Sequence, residues 1–371
     1  MRNWWSEQPV AMEPDSSPNP DHGTLRGLDA AFNRLVEALR VVEDQYRFAH
    51  DRAVIAGRWQ QLRRSGGQLR CQVEDSVGPL VAHRDVAGDQ LRSAPGTGEH
   101  PEPQALIDAN ISRAREASRS VEEMLRLVLP QLSEPAEKLR HGIYEVESIT
   151  SGLMVRGSRL ENRHLYVLVT EQLCHGDLLE TTVAAIEGGA HIVQLREKTL
   201  PASRVLERAR QLRDITEQHD VLLIINDSVE IAYLSGADGV HLGQDDIAPH
   251  EARRILGPDA IIGLSTHEPE QAARAAAIGA DYIGVGPIFE TATKEHRRAV
   301  GTEYIRQADE VCELPGYAIG HVDSDTIDEV LAAGATRIAV CTGIIARPDP
   351  AATARLLCEK LTRQRSQELL R

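Results

Sequence analysis

Paired cysteines, long apolar runs and an excess of positive charge are all missing from this 371-residue chain. Its five cysteines (Cys71, Cys174, Cys312, Cys341 and Cys358) are odd in number, scattered and never in C-x-x-C spacing. That excludes a disulfide framework and a cysteine zinc site, and fits a reducing compartment. No apolar stretch approaches the roughly 18 residues a membrane helix needs. Lys and Arg number 41 against 56 Asp and Glu, a formal charge of -15, which argues against a general nucleic-acid binder. A cytoplasmic protein is expected, with neither nucleic acid nor membrane as partner; homo-oligomerisation is left open. The opening "MRNWWSEQPVAMEPDSSPNPDHG" has no apolar core of a secretory signal, so residues 1–23 read as a disordered tail.

What is present divides into two blocks. "LDAAFNRLVEALRVVEDQYRF" from residue 28 and "IDANISRAREASRSVEEMLRL" from residue 107 align without gaps and share Asp29/Asp108, Arg40/Arg119, Glu43/Glu122 and Arg47/Arg126. At 100° per residue Leu28, Phe32, Leu35, Leu39, Val42 and Tyr46 form one apolar stripe with a charged band beside it. The band reads as ordinary i,i+3 and i,i+4 pairing on a solvated face or as a surface for an anionic ligand or partner. The stretch "DVAGDQLRSAPGTGEHPEPQ" between the two helices reads as a long loop. A small all-α domain over 24–150 follows, then a connector over 151–163.

From residue 164 to 371 the pattern changes. Eight short apolar runs ("HLYVLVT", "AHIVQL", "VLLIIND", "DGVHLG", "AIIGLS", "DYIGVG", "GYAIGH" and "RIAVCT") alternate with helical segments. Gly-Ala recurs just before the second, fourth, sixth and eighth runs. An open doubly wound sheet would use fewer strands and reverse direction, so an α/β fold closed as a (β/α)8 TIM barrel is expected.

In such a barrel the chemistry belongs at the C-terminal strand ends. The second strand ends "QLREK", where alternation aims Gln194, Arg196 and Lys198 at the mouth. The third ends in Asn226 and Asp227, and the fourth in "HLGQDD" with His241, Gln244, Asp245 and Asp246. Adjacent strands lie roughly 4.8 Å apart, so Asp227 and Asp246 can share an ion; hard oxygen ligands beside phosphate-binding cations indicate Mg2+. Either Asp alone could equally cap a helix. The fifth strand offers Ser265 and His267. After the sixth come Thr291, Thr293, Lys294, Arg297 and Arg298, hydroxyls and cations suited to closing over phosphates. The seventh and eighth end at Gly320-His321 and Cys341-Thr342, where barrels often hold phosphate by backbone N–H groups.

Together "QLREK", "IND", "HLGQDD", "GLSTH", "GPIFETATK" and the late "IG" resemble the thiamine phosphate synthases over about residues 164–345. The resemblance implies a transferase that joins 4-amino-2-methyl-5-hydroxymethylpyrimidine diphosphate to hydroxyethylthiazole phosphate, releasing pyrophosphate. It implies Gln194, Arg196, Lys198, Asn226, Ser265 and Lys294 for the pyrimidine diphosphate, Lys294 and Ser265 being catalytic. It implies Asp227 and Asp246 for Mg2+, and Thr291, Thr293, Gly320, His321, Cys341 and Thr342 for the thiazole phosphate. His321 stands where the family usually has glycine. The helical block resembles the hydroxymethylpyrimidine phosphate kinase-like domain fused to some members, although it carries no G-x-x-x-x-G-K-[ST] loop. A thiazole tautomerase-like enzyme and a non-catalytic phosphate-ligand sensor are the alternatives.

Overall fold

The computed structural model describes residues 21–50, 52–84, 103–290 and 298–368. The expected tail up to residue 20, most of the loop after Arg84, and Thr291, Thr293, Lys294 and Arg297 lie outside the described residues. The chain divides into two compact units, Met1–Ser148 and Ile149–Arg371.

In the first unit α1 (His22–Asp44) packs on α2 (Ala53–Val77) and α3 (Pro103–Val128), and α4 (Ser133–Glu161) begins. The apolar stripe Leu28, Phe32, Leu35, Leu39, Val42 and Tyr46 is fully buried, as its period requires. The charged band makes the expected i,i+4 pairs at its exposed edge, Arg40 with Asp44 and Arg126 with Glu122, but its carboxylates Asp29, Glu43 and Glu122 are buried. Glu43 is buried against Arg63 and Gln60 of α2, and Glu122 of α3 is buried against Arg140 of α4. Asp29 is buried between Arg70 and Arg84. Burial opposes the charge on Glu43, but the bonds from Arg63 and Gln60 outweigh it and leave its pKa below the ordinary range. The same balance, struck chiefly by Arg140, lowers Glu122. The sequence echo is thus a repeated helical hairpin clamped by one carboxylate–guanidinium pair per copy.

The second unit is a closed parallel barrel in which β1 (Leu165–Val169), β2 (Ile192–Leu195), β3 (Leu222–Asn226), β4 (Gly239–Leu242), β5 (Ile261–Thr266), β6 (Tyr282–Val285), β7 (Gly316–Ile319) and β8 (Ile338–Val340) pair in sequence order. Strand alternation sorts the residues into two cores. Val167, Val193, Leu223, Val240, Ile262, Ile283, Ala318 and Ile338 face the surrounding helices, while Tyr166, Ile192, Leu222, Ile224, Ile261, Tyr282, Tyr317 and Ala339 fill the interior.

The stretch read as a connector continues α4 to Glu161 and closes the barrel's base. Leu160 joins the interior core, and Arg156, 4% exposed, donates to Asp281 Oδ1 at 2.7 Å. Arg253 donates to Asp281 Oδ2 at 2.7 Å, and the Ile262 backbone N–H does so at 2.8 Å. Gly152 makes room for Arg156: a Cβ there would lie 2.4 Å from its guanidinium.

Candidate active site

The C-terminal strand ends surround a pocket of about 880 Å³ that opens to solvent. Register decides who faces it. Gln194 lies beside Leu168 of β1, Asn226 beside His241, and Ser265 beside Gly284, all at inward positions. Arg196 continues the alternation of β2 one residue past its end and is 8% exposed. Two glycines make the interior possible. A Cβ on Gly263 would fall 2.1 Å from the Tyr282 ring and 2.5 Å from His241 Nδ1. One on Gly284 would lie 3.3 Å from the His241 ring.

Along the pocket floor a line of polar groups crosses the barrel from β2 to β5. Gln194 Nε2 donates to Tyr166 Oη at 2.7 Å, and Tyr166 Oη lies 2.9 Å from Tyr282 Oη. Tyr282 Oη lies 3.1 Å from His241 Nδ1, and His241 Nε2 lies 2.9 Å from Ser265 Oγ. Burial pushes the Tyr166 and Tyr282 hydroxyls well above their ordinary pKa, so both remain neutral. Tyr317 packs edge-on to both rings, 5.4 Å from each centroid, and bonds to the Arg163 carbonyl at the base.

At the rim, just beyond β3 and β4, Asp227 and Asp246 lie near enough for their charges to act on each other. Both reach solvent. Crowding of protein around Asp227 raises its pKa, the charge of Asp246 raises it further, and Lys198 and Arg196 pull it back down. Asp246 is held by the Gly243 N–H at 2.6 Å, and Asp227 has φ 61°, a left-handed backbone uncommon outside glycine, Asn and Asp. Two carboxylates pressed together beside two cations make a donor set suited to a hard divalent cation, with positions left for water and phosphate oxygens.

The opposite wall is Gly320, His321, Cys341 and Thr342. Gly320 has φ 108°, and a Cβ there would strike Pro287 at 2.6 Å, so glycine allows the ends of β6 and β7 to close together. His321, at φ 52°, takes a strained backbone and lies 3.9 Å from Asp323, which Arg347 also contacts at 3.3 Å. Burial raises the Cys341 thiol to about 11, partly offset by Arg196, so it stays a thiol and not a nucleophilic thiolate.

Comparison with known proteins fits this geometry. A family model for thiamine monophosphate synthase matches residues 165–344, and one for the ThiD2 family matches 26–149. A thiamine-phosphate synthase of Gloeobacter violaceus is 41% identical over 346 residues, spanning 91% of this chain and 97% of its own. This chain belongs to the thiamine-phosphate synthase family. It is a transferase of thiamine biosynthesis. A second relative, from Thermosynechococcus vestitus, is 39% identical over 91% of this chain and 95% of its own. The solved thiamine phosphate pyrophosphorylase from Pyrococcus furiosus superposes with a TM-score of 0.51 at 33% identity, covering 56% of this chain and 98% of that one. Among the described residues no helix is long and apolar enough to cross a membrane.

Of the residues singled out from sequence, Gln194, Arg196, Asn226, Ser265, Gly320, His321, Cys341 and Thr342 line one pocket. Lys198, Asp227 and Asp246 meet at its rim through their mutual charge interactions. Thr291, Thr293 and Lys294 lie outside the described residues, although Phe289 just before them is anchored to the Gly320 carbonyl. His267 also lines the pocket, bonded to the Gly286 carbonyl. Sequence reasoning missed Tyr166, Tyr282 and Tyr317, taken there only as apolar strand residues. Their inward parity on β1, β6 and β7 was the signal available.

Proposed function

We propose that this chain condenses 4-amino-2-methyl-5-hydroxymethylpyrimidine diphosphate with hydroxyethylthiazole phosphate to give thiamine monophosphate and pyrophosphate. The observation that carries this reading is the meeting of Asp227, Asp246, Lys198 and Arg196 on the rim of the pocket. That set of charges suits a diphosphate and a cation, and nothing in a proton-shuttling tautomerase would need it. Family membership supports the same reading.

Asp227 and Asp246 hold Mg2+, which when bound supplies positive charge against the diphosphate oxygens. Arg196, Lys198 and Lys294 grip the diphosphate, while Gln194, Asn226 and Ser265 orient the pyrimidine end. Thr291, Thr293, Gly320, His321, Cys341 and Thr342 receive the thiazole phosphate. The methylene carbon–oxygen bond breaks with its electron pair passing to the departing oxygen, pushed by the pyrimidine amino group. The thiazole nitrogen lone pair then forms the carbon–nitrogen bond. The attacking nitrogen carries no proton, so bond formation needs no general base. The protein's work is to fix cations and donors where charge accumulates.

The test supplies the purified chain with both substrates, with and without Mg2+. Equimolar thiamine monophosphate and pyrophosphate, formed only with Mg2+, are expected. Binding of both ligands without turnover would make the chain a sensor. Mg2+-independent proton exchange on the thiazole, without joining, would make it a tautomerase.

A further inference from the structure

We propose that the buried line Gln194–Tyr166–Tyr282–His241–Ser265 runs in one direction, fixing His241 as its Nε2–H tautomer and turning the Ser265 hydroxyl proton into the pocket. Tyr282 and His241 are then positioning residues for Ser265. The inference rests on the proposed reaction only for what Ser265 donates to.

The direction follows from counting protons. An amide nitrogen can only donate, so Gln194 Nε2, 2.7 Å away, occupies a lone pair of Tyr166 Oη. Tyr166 therefore spends its proton on Tyr282, 2.9 Å away. Tyr282 must then give its own proton to His241 Nδ1, 3.1 Å away, which makes that nitrogen an acceptor. The imidazole proton sits on Nε2 and goes to Ser265 Oγ at 2.9 Å. In the opposite direction Tyr166 would receive from both sides, leaving its proton without an acceptor among the described residues that bond this 2% exposed side chain. An unmet buried hydroxyl is costly.

The two ends of the line are therefore one variable. With its amide nitrogen on Tyr166, Gln194 turns its oxygen toward the pocket, and Ser265 presents a hydrogen. Rotating the Gln194 amide would reverse all four bonds and present a Ser265 lone pair instead. The structure turns the amide nitrogen toward Tyr166 and so holds the first arrangement, which also suits the proposed reaction. A departing phosphate oxygen gains from a donor and is repelled by a lone pair. Burial keeps both tyrosines neutral, so each hydroxyl retains the proton that the line passes on. The glycine at 263 is required because any side chain there would displace both Tyr282 and His241.

The test is long-range 1H–15N NMR on the full chain labelled at histidine, the His241 signals being assigned by their loss in His241→Gln. The Nε2–H tautomer is expected. Tyr282→Phe removes the donor to Nδ1. It should give a mixture of tautomers and lower kcat by about 10-fold, as loss of an orienting partner does elsewhere, with little change in KM for the pyrimidine diphosphate. Tyr166→Phe breaks the line one bond earlier and should lower kcat less. An Nδ1–H tautomer in the unmodified protein would overturn the proposal, as would a Tyr282→Phe variant with tautomer and kcat both intact. The tautomer is read without substrates, so a chain that fails to join pyrimidine and thiazole sinks the reaction and leaves the line standing.

Discussion

The base and the mouth of the barrel treat carboxylates in opposite ways. At the base Asp281 is sealed between Arg156, Arg253 and a backbone N–H, with every oxygen matched. At the mouth Asp227 is set against Asp246, and its carboxyl is held above the ordinary range by crowding and like charge. The base arrangement stabilises the fold and offers nothing to a ligand. The mouth arrangement costs stability until something positive arrives. Unmatched like charge is the mark of a site; matched charge marks architecture.

Breaking each end should therefore give opposite signs. Arg156→Met leaves part of the Asp281 charge buried and unpaired, and should cost about 3 kcal/mol of barrel stability in denaturant titration. Turnover per folded molecule should be unchanged. A loss of turnover without loss of stability would erase the distinction.

Asp227→Asn should do the reverse. Turnover is expected to fall by about 100-fold or more, since one charge-stabilising element is lost. The thermal midpoint should rise by about 2 °C, because the repulsion disappears and Asn tolerates the left-handed backbone. A lowered midpoint would show that the carboxyl pair stabilises the rim.

A smaller effect sharpens the same contrast. His321→Gly relieves a positive-φ backbone at the mouth and should gain about 1 kcal/mol in unfolding free energy. Unchanged stability would mean that the His321–Asp323 contact offsets the strain.

A pH slope at the base extends the comparison. Burial, then Arg365 and Arg337, lower His164 to about 4, below the roughly 6.5 of an unfolded histidine. Between those pH values the unfolded chain binds the extra proton, so stability falls as pH drops from about 6.5 toward 4. His164→Gln should flatten that slope in denaturant midpoints taken at several pH values. An undiminished slope would assign it to other groups.

The strand runs and their parity were legible because alternation has a period of two and the eight runs are separated by helical segments. That parity also carried Gln194, Arg196, Asn226 and Ser265 to the pocket. The polar role of Tyr166 and Tyr282 was not legible, because a tyrosine in an apolar run reads the same whether its hydroxyl has a partner or not. Nor was the fate of residues 151–163. Only the arrival of Arg156 beside Gly152 explains that glycine. The charged band of the helical unit was legible only in part. Spacing of three and four pairs Arg126 with Glu122 on one helix, while the second guanidinium on Glu122 and the one on Glu43 come from the next helix.

Periodicity, a property of neighbouring residues, thus determined that this chain makes a helical block and an eight-stranded barrel, and which side chains point inward. Which of those inward groups touch, and whether a carboxylate meets a cation or another carboxylate, was decided only by the closed tertiary structure. Closure brings together residues more than a hundred positions apart, Tyr166 with Tyr282 and Arg156 with Asp281, and no local pattern encodes a distance between them.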